Sequence, residues 1–255
     1  MNYNKLRRCC ALALLPTLCA AYLFVPLPRS LCRPGADSLI AHGCGIIDGH
    51  PYTNSREAVL RSVADGFRQI EADLTFLADS SVVCLHDAAL LASMTGGAVR
   101  ELPADSASFT ALRFYGRYTP LTLPALADLQ RRYGFRIVTD KLSQPSVLAR
   151  HLSAISRSVS VEAFSLSDYA ELDRLGFTPM LSIRCSLRAY VSACIASRRR
   201  IAFITTSVHS PADFITLRLL KRLFAVKVAV YSPLAPDLLM QHLGSDFDFL
   251  YTDKR

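Results

Sequence analysis

A chain of 255 residues with 51% hydrophobic side chains can bury a sizeable core, which excludes a disordered tail and a small disulfide scaffold. The formal charge of +8 comes from Lys and Arg spread along the chain, with "SRRR" at Ser197 to Arg200 the one short run. No basic patch interleaved with aromatics is present, so no nucleic-acid partner is expected; a basic body suits anionic lipid headgroups or a phosphate-bearing substrate.

Lys5, Arg7 and Arg8 precede an uncharged apolar run from Cys9 to Pro28, long enough to cross a bilayer as a helix. Residues 1–30 are therefore expected to form a transmembrane segment or signal anchor, with a cleaved secretory signal as the alternative. Three basic residues before the run, against Arg29 and Arg33 after it, favour a cytoplasmic N-terminus and a body outside the cytoplasm. Cys32, Cys44, Cys84, Cys185 and Cys194 show neither CxxC nor Cys/His zinc spacing and read as free thiols.

From residue 38 to the end, one domain is expected, because short β-branched runs alternate with polar turns and amphipathic stretches, the pattern of βα units around a parallel sheet. Strands are expected at Ser38 to His42, Gln69 to Thr75, Ser81 to His86 and Phe135 to Asp140, then at Ser158 to Phe164, Thr178 to Ile183, Ile201 to Thr206 and Ala225 to Tyr231. Helices with recognisable ends lie between them: "NSREAVLRSVADG" has Asn54 or Ser55 as N-cap and stops at Gly66, and "SQPSVLARHL" carries Pro145 near its start. The count and rhythm give the α/β class and a (β/α)8 TIM barrel, with a doubly wound open sheet as the rival. The stretch from Ala88 to Thr122 breaks the rhythm and reads as either an added cap or a long irregular loop.

Within "IEADLTFLADSSVVCLHD", Glu71 and Asp73 share one face of a strand, as do Cys84 and His86. Two carboxylates side by side in a core repel each other and lose hydration, and a divalent cation with oxygen ligands relieves both costs. His42, Glu71, Asp73, His86 and Asp140 all fall at or near expected strand ends, where barrel enzymes gather their catalytic groups. The bland readings are a solvated or salt-bridged acid pair and, for His86-Asp87, a turn with a capping aspartate. Cys84 shares the His86 face but lacks the activated environment a nucleophilic thiol needs. His209 reads as structural, His151 and His242 as helix residues, Tyr231 and Tyr251 as core, and Asp48 and His50 as loop residues near the mouth.

Taken in order, "IAHG" at Ile40 to Gly43, "TNSREA" at Thr53 to Ala58, "GFRQIEADLTFLADSSVVCLHD" at Gly66 to Asp87, "VTDK" at Val138 to Lys141 and "FLYTDK" at Phe249 to Lys254 form a composite motif. It resembles the glycerophosphodiester phosphodiesterase family, within the wider group of phospholipase-C-like barrel phosphodiesterases. The resemblance implies a metal-dependent phosphodiesterase in which His42 and His86 are the acid/base pair and Glu71, Asp73 and Asp140 hold Mg²⁺ or Ca²⁺. It also implies that Lys141, Arg184 and Asn54 bind substrate, a glycerophosphodiester or a related lipid or polymer headgroup. Two departures stand out: the arginine that follows the first histidine in the family is Gly43 here, and Thr139 occupies the place of the third acid, with Asp140 beside Lys141. They keep open a cyclising lyase of the phospholipase-C or sphingomyelinase-D kind and a non-catalytic barrel that binds a phosphate-bearing ligand.

Overall fold

The computed structural model describes residues 37–253 together with Val25. The expected anchor otherwise lies outside the described residues, among which no helix is long and apolar enough to cross a membrane.

Eight parallel strands close into a barrel. They are β1 (Leu39–Ala41), β2 (Gln69–Phe76), β5 (Arg136–Asp140), β6 (Val159–Ala163), β7 (Thr178–Ser182), β8 (Phe203–Ser207), β9 (Lys227–Tyr231) and β10 (Phe249–Thr252), with β10 returning to pair with β1. β3 (Val82–Cys84) and β4 (Leu121–Thr122) stand outside the barrel as an antiparallel extension of β2. The helices are α1 (Arg56–Ala64), α2 (Ala88–Met94), α3 (Ser106–Ala111), α4 (Leu123–Tyr133), α5 (Pro145–Leu152), α6 (Leu166–Arg174), α7 (Leu187–Ser197), α8 (Asp213–Phe224) and α9 (Pro236–His242).

The closed barrel expected from the rhythm is present, but the expected third strand is not one of its staves. Residues 77–81 join β2 to β3, and a parallel crossover needs roughly a dozen residues. The chain instead doubles back through Ser80, whose φ is +67°, and pairs Leu74 with Cys84 and Phe76 with Val82. The missing stave is "FLYT" at Phe249–Thr252, too short to stand out by alternation and recognisable only as part of the closing motif.

Alternation along each strand sorts the side chains into two cores. Ile70, Ala72, Ile137, Val159, Val161, Ile204 and Val228 face the helices in the main hydrophobic layer. Ile40, Val138, Met180, Phe203, Ala229 and Tyr251 fill the barrel axis. The excursion after β2 is a built unit rather than a loose loop, with its own core of Leu77, Val83, Leu85, Leu91, Met94, Phe109, Phe114 and Tyr118. Its return is clamped by Glu57 of α1, whose carboxylate accepts from the Thr119 amide and hydroxyl at 2.7 and 2.8 Å.

Helix ends follow local chemistry. The Ser55 hydroxyl accepts from the Ala58 amide at 3.2 Å, so Ser55 rather than Asn54 caps α1. α4 begins with a Thr122 cap and Pro124 and ends on Gly134 in the left-handed region at φ +72°. Near the closing stave, Arg218 of α8 forms a two-pronged buried pair with Asp246, at 2.7 and 2.8 Å, and Asp246 is also bonded to His242 Nδ1 at 2.6 Å.

Removing one member of such a pair strands a buried charge. Arg218→Ala is expected to cost about 3–5 kcal/mol of unfolding free energy in a urea melt. The exposed Arg61–Asp65 pair of α1 provides the contrast, and Arg61→Ala should change stability by less than about 1 kcal/mol. Equal losses from both would show that burial does not set the worth of the α8 pair.

Candidate active site

The strand register assembles the acids. β2 and β5 run parallel with Glu71 opposite Val138 and Asp73 opposite Asp140, and Val138 belongs to the barrel-axis core. Glu71, Asp73 and Asp140 therefore point to the axis, with one carboxylate oxygen from each lying within 4.8 Å of the others. No bulge is needed to turn Asp140 inward: it is the last residue of β5, in phase with Val138. Lys141 then leaves the strand with φ +68°, which breaks the alternation and lets both neighbours line the same cavity. Thr139, in the position of the family's third acid, is fully buried and alternates with the axis-facing residues.

Three buried carboxylates in one place carry a large electrostatic cost. Burial, then the charges of Asp73 and Asp140, push the Glu71 carboxyl well above its ordinary range, only partly offset by the Gly43 amide that donates to its Oε2 at 2.6 Å. Burial likewise raises Asp140, whose Oδ1 accepts from the Lys141 amide at 2.5 Å. Glu71 Oε1 is buried and has no hydrogen-bond partner among the described residues. An orphaned buried oxygen beside two more carboxylates is the donor set of a hard divalent cation, so Glu71, Asp73 and Asp140 could hold Mg²⁺ or Ca²⁺.

The departure at Gly43 has a steric cause. Gly43 has φ +53°, and a Cβ there would stand 2.7 Å from Tyr52 Cα. A larger residue would push away the backbone that delivers the amide to Glu71. Asn54, expected to bind substrate, instead holds Asp73: its Nδ2 donates to Asp73 Oδ2 at 2.9 Å and its Oδ1 accepts from the Asp73 amide at 3.1 Å. Asn54 is fully buried and does not line the cavity.

Above the acids opens a cavity of about 1020 Å³ lined by His42, Asp73, His86, Asp140 and Lys141, together with Tyr52, Glu162, Tyr231 and Tyr251. His42 follows the end of β1; its Nδ1 meets the Tyr52 hydroxyl at 3.1 Å, and its ring packs edge-on against Tyr52 and Tyr251. Burial pushes its imidazole below the ordinary value, opposed by the charges of Asp253 and Asp73. His86 Nδ1 lies 2.6 Å from Asp87 Oδ2, while Asp87 Oδ1 accepts from the Leu90 amide at 2.7 Å and caps α2. Asp87 thus caps α2 with one oxygen, as its place in the sequence suggests, and holds His86 with the other.

Arg184 and Arg56 are exposed and do not line this cavity, so Lys141 is the one Lys or Arg among its lining residues. Cys84 is buried and its thiol pushed up by burial, and His209 is tied into its own turn by Ser207 and Asp213. Asp48 pairs with Arg117 at 3.0 Å and accepts from the Tyr118 hydroxyl at 2.7 Å, joining the loop after β1 to the excursion. Tyr231 and Tyr251 both line the cavity, Tyr251 as the member of the barrel-axis core nearest the mouth.

Two residues that the motif does not carry complete the site. Glu162 of β6 is buried, pushed up to about 8 by burial and then by Asp140, and its Oε1 accepts from Thr205 at 3.1 Å and Tyr251 at 2.8 Å. Its signal was one acid in the strand "VSVEA", in phase with Ser160; without a second acid at short spacing it did not stand out. Tyr52, in a loop with φ +56°, had no pattern to announce it.

No family model and no curated protein matches the sequence. Solved structures do match in fold. A glycerophosphoryl diester phosphodiesterase from Parabacteroides distasonis aligns with TM-score 0.66 and 15% identity over 88% of this chain and 86% of its own. Glycerophosphodiester phosphodiesterases from Thermotoga maritima and Agrobacterium tumefaciens align with TM-scores of 0.63 and 0.62 at 17% and 19% identity. Each covers 86% of this chain, and 95% and 96% of its own, respectively. The chain has the fold of the glycerophosphodiester phosphodiesterases of known structure.

Glu71, Asp140 and Glu162 each hold a proton more tightly folded than unfolded, so the cation-free folded state binds more protons. Stability should therefore fall as pH rises from the ordinary carboxyl range of 4.5 toward the value of about 8 for Glu162. With a chelator present, Tm is expected to drop between about pH 5 and pH 8. Added Mg²⁺ or Ca²⁺ should restore it most at the upper end, and Glu71→Gln should remove that response. A Tm indifferent to cations at every pH would refute the carboxylate site.

Proposed function

We propose that the protein is a metal-dependent phosphodiesterase that hydrolyses a glycerophosphodiester or a related lipid or polymer headgroup diester. The observation that carries this reading is the convergence of Glu71, Asp73 and Asp140 beneath a cavity shared by His42, His86 and Lys141. The low-identity structural likeness to phosphodiesterases and the composite motif support it.

A bound divalent cation at the three carboxylates would neutralise a phosphate oxygen and steady charge at phosphorus. Lys141 supplies a second positive charge at the same cavity. Asp87 only accepts hydrogen bonds, so it fixes the His86 proton on Nδ1 and leaves Nε2 with a lone pair to take a proton from the attacking water. Burial pushes the Tyr52 phenol up to about 12, so it stays an uncharged hydroxyl beside His42 Nδ1. Protonating the leaving alcohol needs the His42 imidazolium, which the charges of Asp253 and Asp73 favour; its Nδ1–H then donates to the Tyr52 oxygen, and the Nε2 proton goes to the alcohol, leaving a neutral imidazole. As the water oxygen bonds to phosphorus and the ester bond breaks, one proton passes to His86 and one leaves His42. Glu162 and Tyr251 offer polar contacts to a polyol, and exposed Phe164 and Tyr231 form an apolar rim. The basic and apolar N-terminal residues further suggest a membrane-tethered barrel outside the cytoplasm.

Purified protein with Mg²⁺, Ca²⁺ or Mn²⁺ is expected to release glycerol phosphate from glycerophosphodiesters. His42→Ala and His86→Ala should each lower kcat by about 10²–10⁴-fold, and Asp87→Asn should lower it through loss of the reactive tautomer. A persistent cyclic phosphate would replace water with an internal hydroxyl as nucleophile. No turnover of any diester, with ligand binding intact in both histidine variants, would replace the enzyme with a binding barrel.

A further inference from the structure

The barrel has a second polar end. A cavity of about 950 Å³ opens at the N-terminal ends of the strands, opposite the mouth, and is bordered by Arg68, Arg136, Arg200 and Lys227 against Asp37 and Asp173. Arg136 opens β5 and Lys227 opens β9, each two residues before an axis-filling side chain, Val138 and Ala229. Both therefore point up the barrel axis from below. The apolar axis core lies between this end and the acids at the mouth.

The charges here are not balanced internally. Asp173 meets Arg199 at 3.5 Å, and Arg200 donates to the Ala225 carbonyl at 2.7 Å. Among the described residues no carboxylate forms an ion pair with Arg68, Arg136 or Lys227. Arg136 Nη1 is shut off from solvent and has no hydrogen-bond partner among the described residues. A buried guanidinium N–H without an acceptor is costly, and an anion in the cavity relieves that cost while neutralising three clustered cations. Ser158, Ser160 and Thr178 border the same space and add hydroxyl donors for oxyanion oxygens.

We propose that the N-terminal end of the barrel is a second, anion-binding site for a phosphate group, with Arg136 and Lys227 as its central ligands and Arg68 at its rim. Asp37, from which the chain runs back to its apolar N-terminal residues, borders the same cavity. A lipid phosphomonoester headgroup and a free phosphate are thus two sources of one chemistry.

The test is calorimetric titration of inorganic phosphate into the full chain at low ionic strength, in chelator, with wild type, Lys227→Gln, Arg136→Gln and Lys141→Gln. Binding is expected to survive Lys141→Gln, which disables the mouth, and to weaken by about tenfold or more in Lys227→Gln and Arg136→Gln. Lys227 is exposed, so Lys227→Gln keeps the test decisive if Arg136→Gln fails to fold. Vesicles of phosphatidylcholine with and without phosphatidic acid separate the sources. Lys227-dependent cosedimentation with phosphatidic acid identifies a headgroup, and phosphate binding without cosedimentation identifies a soluble anion. Phosphate binding unchanged in Lys227→Gln, or abolished by Lys141→Gln alone, overturns the second site.

Discussion

The parallel register between β2 and β5 sets Asp73 beside Asp140, one pleat beyond Glu71, and the surrounding structure answers the repulsion this creates. Like charges held within a few ångströms and away from water are unstable unless each oxygen finds a partner. Asn54 braces Asp73 from behind, the Gly43 amide caps one oxygen of Glu71, and the Lys141 amide turns back onto Asp140. Gly43, Tyr52, Asn54 and Lys141 all adopt left-handed backbone conformations, so the loops around the mouth bend sharply to reach these oxygens. Strain gathered this way marks a site whose geometry is maintained against local preference.

Much of this was legible in the chain. Period-two alternation put Glu71 and Asp73 on one face, and motif order brought His42, His86 and Asp140 to the same end of the barrel. The reason Asp140 belongs with them was not legible, because adjacency to Lys141 suggests opposite faces. Only the end of β5 at Asp140 and the positive φ of Lys141 make both point inward. The role the structure gives Asn54 was likewise not legible: an asparagine near a site reads as a ligand for substrate, and only the fold shows its two hydrogen bonds to Asp73. Glu162 was missed because its partners Thr205 and Tyr251 come from distant strands, and cross-barrel neighbours leave no local spacing.

The confusion over the third strand is similarly physical. Alternating β-branched residues announce a strand but not its direction, and connection length decides that. The chain between β2 and β3 permits only an antiparallel return, so the motif containing His86 belongs to the excursion and not to the barrel wall. That excursion has its own apolar core and is fastened to α1 through Glu57 and Thr119.

The two histidines at the cavity therefore come from different structural units. His42 is carried by a barrel stave, while His86 is oriented by Asp87, whose other oxygen starts the first helix of the excursion. The orientation of the His86 ring is inherited from helix initiation in a separate small core. In the phosphodiesterase reading, proton uptake and proton delivery are assigned to two bodies that must be seated together. Competence then belongs to the docked pair, and the docking is not independent of the acids: Leu85, the residue before His86, donates its amide to the Asp73 carbonyl at 2.8 Å, so the excursion is seated on the very strand that bears Glu71 and Asp73.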